Sequence, residues 1–451
     1  MLLLIPFAFA DPTLDALRLE PRVEVLDNGL TVIVHEDHRA PVVSTNLIYE
    51  VGASEDRPGR TGKAHFFEHL MFEGSANVPA GAYDSWLAEG GASSNAWTDL
   101  DWTAYQMQGP PGALDLSLFL ESDRMGWLLH GMSDEAVENQ RGVVRNERLG
   151  DETDDTSLPI YALEASLWPE AHPYHWPVVG TMDDILGMGR GELAAHFSRW
   201  YVPGNAALVI VGDIDTDVAI AAAREQFAPV PEGEPPERLT PEEAAALAPP
   251  LTEESRRVLY EDLDDVQLYL AWRTVPEGHP DEAALDLLSE VVAGGRGRPL
   301  DEALYYGEAL TTGVGAWSWN GRLGGEFVIW ATRDDEPLKD LIPAIDATLE
   351  HYRTEGPTEE EVARVLGRWK TQVLQGLEDT ESLSEALALC HARTGAADCL
   401  ADDLARYLAV TPADVRRVAQ TWLGPGRVVL SVLPAAFAPL SVHGSEPVDA
   451  P

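Results

Sequence analysis

Two histidines and a glutamate lie in one short segment with the spacing H-x-x-E-H: His65, Glu68 and His69. On a helix, residues four apart share a face, so both imidazoles can bind one Zn²⁺. Glu68 lies close to the same face and can accept a proton from an attacking water. The pattern is the inverted form of the zinc-peptidase helix motif and indicates metal-dependent peptide hydrolysis. The alternative is a pair of structural histidines, which only further ligands can exclude.

A catalytic zinc site usually has three protein ligands and an open position, so a third ligand must come from elsewhere. Residues 133–155 are predicted to form a helix that begins at Ser133 or Asp134. One stripe of this helix is mostly uncharged and ends in a glutamate: Ala136, Gln140, Val143 and Glu147. Charged side chains are rare on such a face unless they are paired or bind metal, which favours Glu147 as the third ligand. The acidic residues that follow are typical of a solvated helix end.

Three segments in this order resemble the pitrilysin/insulinase family of zinc metallopeptidases, the inverzincins, which includes the mitochondrial processing peptidases. The segments are residues 65–69, 138–147 and 172–180, and the similarity extends from about Val23 to Leu433. The third segment contains two histidines in a proline-rich setting. We interpret these histidines, His172 and His175, as packing residues. Asp183 and Asp184, which follow, are expected to cap a short helix.

The resemblance implies a role for each site residue. His65, His69 and Glu147 would bind one Zn²⁺ per chain, and Glu68 would be the general base. Residues 91–97 match the strand that pairs with the substrate backbone, through Asn95 and Ala96.

Two positions depart from the family pattern. Many members carry a glutamate where this chain has Gln140, which can orient a ligand but adds no negative charge. The C-terminal half of the family usually offers an arginine and a tyrosine to the scissile carbonyl, whereas this chain has Tyr305 and Thr312 there.

Periodicity and Pro-rich stretches predict an α+β protein with two homologous halves, each a mostly antiparallel sheet packed with helices. We expect a zinc-binding domain at 20–227, a Pro/Glu-rich linker at 228–255 and a metal-free domain at 256–440. In the first domain, residues 32–49 are predicted to form two paired strands and residues 62–72 the zinc helix. The scaffold repeats in the second domain, where superposition of the two patterns puts three non-ligand residues at the positions of the motif: Leu285, Leu288 and Ser289. Four helices are expected between residues 338 and 422.

The chain has 451 residues, with 76 acidic and 31 basic residues and a formal net charge of −45. This charge excludes nucleic acid as an expected partner, because binding phosphates requires a basic surface. It would favour cationic peptides in an enclosed chamber, although a solvated, soluble surface explains most of it.

The N-terminus and the cysteines bear on localisation. Residues 1–10 are apolar, end in an A-x-A pattern and are interpreted as the remnant of a secretory signal peptide, the alternative being an apolar N-terminus. They are too short to span a membrane. Cys390 and Cys399 are the only cysteines and are predicted to form a disulfide in an oxidising compartment. The expected location is periplasmic or secreted.

The sequence therefore predicts a zinc endopeptidase that hydrolyses short or unfolded peptides, with Glu68 activating the attacking water. Enzymes of the family that this chain resembles enclose a chamber with four domains. This chain contains two, so a second subunit is expected. The predicted arrangement is a heterodimer with a related chain that lacks the zinc motif, and a homodimer is the alternative. A non-catalytic subunit that assembles or presents peptides is the competing function.

Overall fold

A computed structural model describes residues 12–307 and 309–451 of the chain, which fold around two six-stranded sheets. The strands of the first sheet are β1 (Arg22–Val25), β2 (Thr31–Glu36), β3 (Val43–Tyr49), β4 (Ser93–Thr98), β5 (Thr103–Gly109) and β6 (Ala206–Gly212). The strands of the second sheet are β7 (Ser255–Tyr260), β8 (Val266–Thr274), β9 (Gly313–Gly321), β10 (Gly324–Arg333), β11 (Val428–Leu433) and β12 (Glu446–Pro447).

Helices connect and cover these strands. In the first part of the chain they are α1 (Pro12–Ala16), α2 (Lys63–Leu70), α3 (Ala82–Glu89), α4 (Leu114–Gly131), α5 (Asp134–Asp151), α6 (Ser157–Leu167), α7 (Met182–Gly187), α8 (Arg190–Trp200), α9 (Thr216–Phe227) and α10 (Pro241–Leu247). In the second part they are α11 (Glu282–Val292), α12 (Ile342–Thr354), α13 (Glu359–Gly376), α14 (Thr380–Thr394), α15 (Leu400–Leu408) and α16 (Pro412–Trp422).

The two sheets share one topology in five of their six strands; the outer strands differ, because β1 is antiparallel to β2 whereas β12 is parallel to β7. The first has the strand order β1-β2-β6-β3-β5-β4, and the second has the order β12-β7-β11-β8-β10-β9. Only β2 and β6 are parallel in the first sheet, and only β7 with β11 and β12 in the second. The prediction of an α+β fold with two similar halves and mostly antiparallel sheets is confirmed. In this correspondence β9 matches β4 and α11 matches α2.

The predicted pairing within residues 32–49 is wrong. Both strands form, but β6 lies between them, with Val34 of β2 opposite Ile210 and Leu47 of β3 opposite Leu208. Every residue of β6 is buried. A strand with so many apolar residues gains most in the sheet centre, where both faces are covered.

Each half contributes a helix to the other half. Helix α14, which follows the second sheet in sequence, lies on β3 and β6 of the first sheet, and Leu383 and Leu387 are buried there. Helix α6 lies on the second sheet, and its Leu163 and Leu167 are buried there among residues of β8 and β11. Because these exchanges bury apolar surface between the halves, the two sheets are joined by a shared core.

Two details differ from the sequence prediction. Five helices, α12 to α16, lie between residues 338 and 422 instead of four. The segment 228–255 contains a helix, α10, and is fixed to the first sheet by Arg238, whose guanidinium donates to the Glu55 carboxylate and to the Asp101 carbonyl.

Cys390 and Cys399 form a disulfide between α14 and α15, as predicted. Residues 1–10, interpreted from the sequence as the remnant of a signal peptide, lie outside the described residues. Within residues 12–307 and 309–451, no helix combines the length and apolar character needed to cross a membrane.

Candidate metal centre

The histidine motif forms helix α2, as its spacing predicts, and two glycines fix where that helix begins. Gly62 precedes α2 with φ +83°, and Gly180 has φ +84° in the loop that lies against it. A Cβ on Gly180 would lie 2.7 Å from the Gly62 Cα, and a Cβ on Gly62 would lie 2.4 Å from the Val179 carbonyl oxygen. Only glycine combines this backbone conformation with such close approach. The third resembling segment, 172–180, therefore ends in a contact that positions α2.

Two buried aspartates hold the start of α2. Asp56 accepts a hydrogen bond from the Lys63 backbone N–H at 3.0 Å, which satisfies an otherwise free donor of the first helical turn. Asp184 accepts from the backbone N–H and from the hydroxyl of Thr61, at 2.9 and 2.7 Å. The predicted capping role of Asp183 and Asp184 is wrong, because Thr181 caps α7 with its hydroxyl.

Helix α5 brings Glu147 to the motif. Its cap is Ser133, whose hydroxyl accepts from the Ala136 N–H at 3.0 Å, as predicted. The buried stripe of α5 is Ala136, Val137, Val144 and Arg148. The predicted stripe is wrong for two members, because Val143 is 40% exposed and the Glu147 side chain is 45% exposed. Glu147 thus lies at an open surface and not on an apolar face.

The two histidines and Glu147 converge. A Glu147 carboxylate oxygen lies 3.1 Å from His69 Nε2 and 3.8 Å from His65 Nε2, and the three candidate ligand atoms lie within 4.8 Å of one another. Ligands at zinc bond lengths in a tetrahedron would be about 3.3 Å apart. Two imidazole nitrogens and one carboxylate oxygen are therefore both the donor types and the spacing that fit Zn²⁺.

Burial shapes the electrostatics of the motif. It lowers the pKa of His65 to about 4, with a smaller contribution from His69, so the imidazole is neutral and has a lone pair for a metal. Burial also raises the pKa of Glu68, and interactions with Thr98 and His69 oppose this shift. A carboxylate with a raised pKa holds a proton more readily, which suits a general base.

Gln140 has a charged partner that the sequence did not indicate. Its side-chain amide donates to the carboxylate of Glu73, which lies just beyond α2. The contact joins α5 to the segment after the motif. A carboxylate is therefore present beside Gln140, on the neighbouring segment and not at position 140 itself.

The predicted substrate strand forms as β4 at the edge of the first sheet. Among the described residues it pairs with β5 alone, where Asn95 is opposite Gln106 and Ala96 is opposite Tyr105. Asn95 is exposed and Ala96 is half-buried. The free edge of β4 lies next to α2, so an extended chain can add to this edge by backbone hydrogen bonds.

The remaining predicted positions lie in other settings. His172 is fully buried and stacks on Trp168, with ring centroids 4.4 Å apart, which confirms its packing role. In the second half, Leu285, Leu288 and Ser289 are buried in α11. Tyr305 is 43% exposed. Thr312 donates its hydroxyl to Asp265 at 2.7 Å.

Comparison with protein families gives two matches. The model of the insulinase family, peptidase family M16, matches residues 31–163, which include α2 and α5. The model described as the peptidase M16 inactive domain matches residues 188–367.

Relatives and solved structures agree with these matches. The zinc protease PqqE of Helicobacter pylori is 28% identical over 377 residues, 80% of this chain and 81% of that protein. The beta subunit of the mitochondrial-processing peptidase of Lentinula edodes is 22% identical, over 89% of this chain and 87% of that subunit. The crystal structure of a protease from Helicobacter pylori superposes with a TM-score of 0.83 at 24% identity, over 92% of this chain and all of that one, and supports the fold.

Proposed function

Because this chain belongs to peptidase family M16, the insulinase family, we propose that it is a zinc-dependent endopeptidase that hydrolyses short or unfolded peptides. One observation carries the proposal: His65, His69 and Glu147 converge from two helices with ligand spacing, beside Glu68. A structural subunit would have no need for a general base next to the ligands.

Each residue has a role in this proposal. His65, His69 and Glu147 would hold one Zn²⁺, which when bound supplies Lewis acidity that polarises a carbonyl and lowers the pKa of water. Glu68 takes a proton from the attacking water and later delivers it to the leaving amine. The edge of β4, at Asn95 and Ala96, would hold the substrate backbone in extended form. Gln140 would orient the segment after the motif through Glu73.

We propose that the working enzyme is a heterodimer with a related chain that lacks the zinc motif. Glu147 and Val143 are half-exposed on a side of α5 that a second subunit could cover. Tyr305 and Thr312 supply no cationic donor for the scissile carbonyl, so the partner would bring the arginine and tyrosine. A homodimer is the alternative, and it would lack those donors.

We also propose that the protein works in the periplasm or is secreted. The disulfide between Cys390 and Cys399 supports this location, because such bonds persist in oxidising compartments. In a chamber enclosed with a second subunit, the acidic chain would attract cationic peptides.

Metal analysis of the purified protein tests the site. We expect about one zinc per wild-type chain, and much less in His65→Ala, His69→Ala and Glu147→Gln, since each removes one of three ligands. The exposed His443 offers a control, because His443→Ala should keep its zinc. Equal zinc content in all five proteins would contradict the ligand assignment.

A mixing experiment tests the partner. The chain is assayed on a cationic unfolded peptide, alone and with a zinc-less relative, while light scattering follows the mass. Activity that rises on mixing, together with a heterodimer mass, supports the proposal. Full activity of the chain alone as a homodimer would contradict the heterodimer, and zinc binding without hydrolysis in any mixture would favour the peptide-presenting subunit.

A further inference from the structure

A cavity of about 650 Å³ lies at the N-terminal end of α2. Its wall combines the segment 54–63, part of α8 and part of the connecting segment that includes α10. The three proposed zinc ligands and Glu68 are not among its lining residues. The cavity is therefore a feature separate from the metal centre, although it touches the first residue of the same helix.

Basic residues gather at this cavity. Four of the 31 basic residues of a chain with 76 acidic ones line it: Arg57, Arg60, Lys63 and Arg199. Two of them have free charges. Within the described part of the chain, Arg57 has no carboxylate at ion-pair distance, and Arg199 lies over the Trp200 ring at 5.0 Å without an acidic partner. A guanidinium without a partner at a concave surface is a ready site for an anion.

Most of the local acidic charge is already neutralised. The lining carboxylates are Glu55, Asp56, Glu192 and Glu237. Glu55 is paired with Arg238 and Arg322. Asp56 is paired with Lys63, and Glu192 with Arg60 and Lys63. Glu237 is exposed, so solvent screens its repulsion of an anion. Arg57 and Arg199 are exposed as well, so solvent also screens their attraction, and an anion would gain most by contacting both guanidinium groups.

A buried histidine forms part of the cavity wall. His196 lines the cavity and is only 6% exposed, and its Nε2 is buried without a hydrogen-bond partner. Burial, with smaller contributions from Lys63 and Arg199, lowers the pKa of His196 to about 3. The ring is therefore neutral, and its Nε2 is closed to solvent, so His196 shapes the wall while the arginines would contact an anion.

We propose that this cavity binds a tetrahedral oxyanion of the phosphate class, held by Arg57 and Arg199. The planar guanidinium fork matches two oxygens of such an anion, and two forks can share its charge. The occupant would lie beside Lys63, the first residue of the helix that carries the histidine motif. The inference stands apart from whether the chain hydrolyses peptides.

Isothermal titration of the zinc-loaded protein with inorganic phosphate, at an ionic strength fixed with NaCl, tests the proposal. We expect one saturable site in the wild type and a loss of affinity of about tenfold or more in Arg57→Gln and in Arg199→Gln. Arg22→Gln is the matched control, because Arg22 is exposed in β1 and has no ion pair with any residue that the structure describes. It should bind phosphate as the wild type does.

Four results would overturn the proposal. The wild type could show no saturable binding, or the two cavity variants could bind as tightly as the control. An equal loss of phosphate affinity in all three variants would show that binding depends on the total charge of the protein and not on this cavity. The titration is repeated after chelation of the zinc, where unchanged affinity supports the cavity and complete loss would place the phosphate on the metal. Far-ultraviolet circular dichroism checks that each variant is folded.

Discussion

The contact between Gly180 and Gly62 gives the sharpest test of how the fold positions the motif. Gly180→Ala would add a Cβ 2.7 Å from the Gly62 Cα and 2.8 Å from the Gly62 nitrogen, in a backbone with φ +84°. The left-handed conformation costs alanine about 1–2 kcal/mol, and overpacking a tight contact costs about 1–3 kcal/mol more. We therefore expect a loss of about 2–5 kcal/mol in unfolding free energy, and a displaced α2.

A second glycine separates these two costs. Gly59 has φ +74°, yet a Cβ there would meet nothing within 4 Å, so Gly59→Ala should lose only the conformational part, about 1–2 kcal/mol. Urea unfolding followed by circular dichroism measures the stability, and metal analysis measures zinc per chain. We expect Gly180→Ala to lose more stability than Gly59→Ala and to bind less zinc. Equal urea midpoints and equal zinc content in the two variants would refute the reasoning.

Three further predictions concern the rest of the chain. Replacing Cys390 and Cys399 by serine should lower the unfolding free energy by at most about 2–3 kcal/mol, because the closed loop is short, and urea unfolding checks this. The pKa of His196 is about 3 in the fold, below the ordinary 6.5, so above pH 6.5 the ring is neutral in both the folded and the unfolded chain. Below pH 6.5 only the unfolded chain takes up the proton, so the unfolding free energy falls by about 1.4 kcal/mol per pH unit, and urea unfolding from pH 7.5 to 5.5 should show a shallower loss in His196→Gln. Gln140→Glu would place its carboxylate beside that of Glu73 and lower the unfolding free energy by about 1–3 kcal/mol. Glu73→Gln should restore this loss in the double variant, and a double variant without restored stability would argue against the pair.

Local patterns predicted the elements well. The predicted helix over 62–72 is observed as Lys63–Leu70. Short-range periodicity and capping residues carry this information, as Ser133 at the start of α5 illustrates.

Those local patterns do not indicate which distant segments pair or pack together. The position of β6 between β2 and β3 depends on residues more than 150 positions away. Pairing of this kind is decided by burial in the whole sheet. The exchange of α6 and α14 between the halves is of the same kind, since each helix has an apolar face that fits several surfaces.

The structure does not support the stripe as the reason for Glu147. The apolar stripe predicts Glu147 as a ligand, yet Val143 and Glu147 are exposed and the buried stripe lies one position further along. Ala136 and Val143 on one stripe and Val137 and Val144 on the next are equally apolar pairs, so the packing of α5 decides which stripe is buried. The support of Thr61 by Asp184 was also missed, because acidic residues at a helix start usually cap it.

The central claim is that Glu68 moves the proton while the three ligands hold the metal. The direct measurement is the rate of peptide hydrolysis by Glu68→Gln at full zinc occupancy, beside the wild type and its partner chain. Our account predicts wild-type zinc content with hydrolysis reduced by at least about a hundredfold, the usual contribution of a positioned general base. Hydrolysis near the wild-type rate in a fully zinc-loaded Glu68→Gln protein would contradict the account.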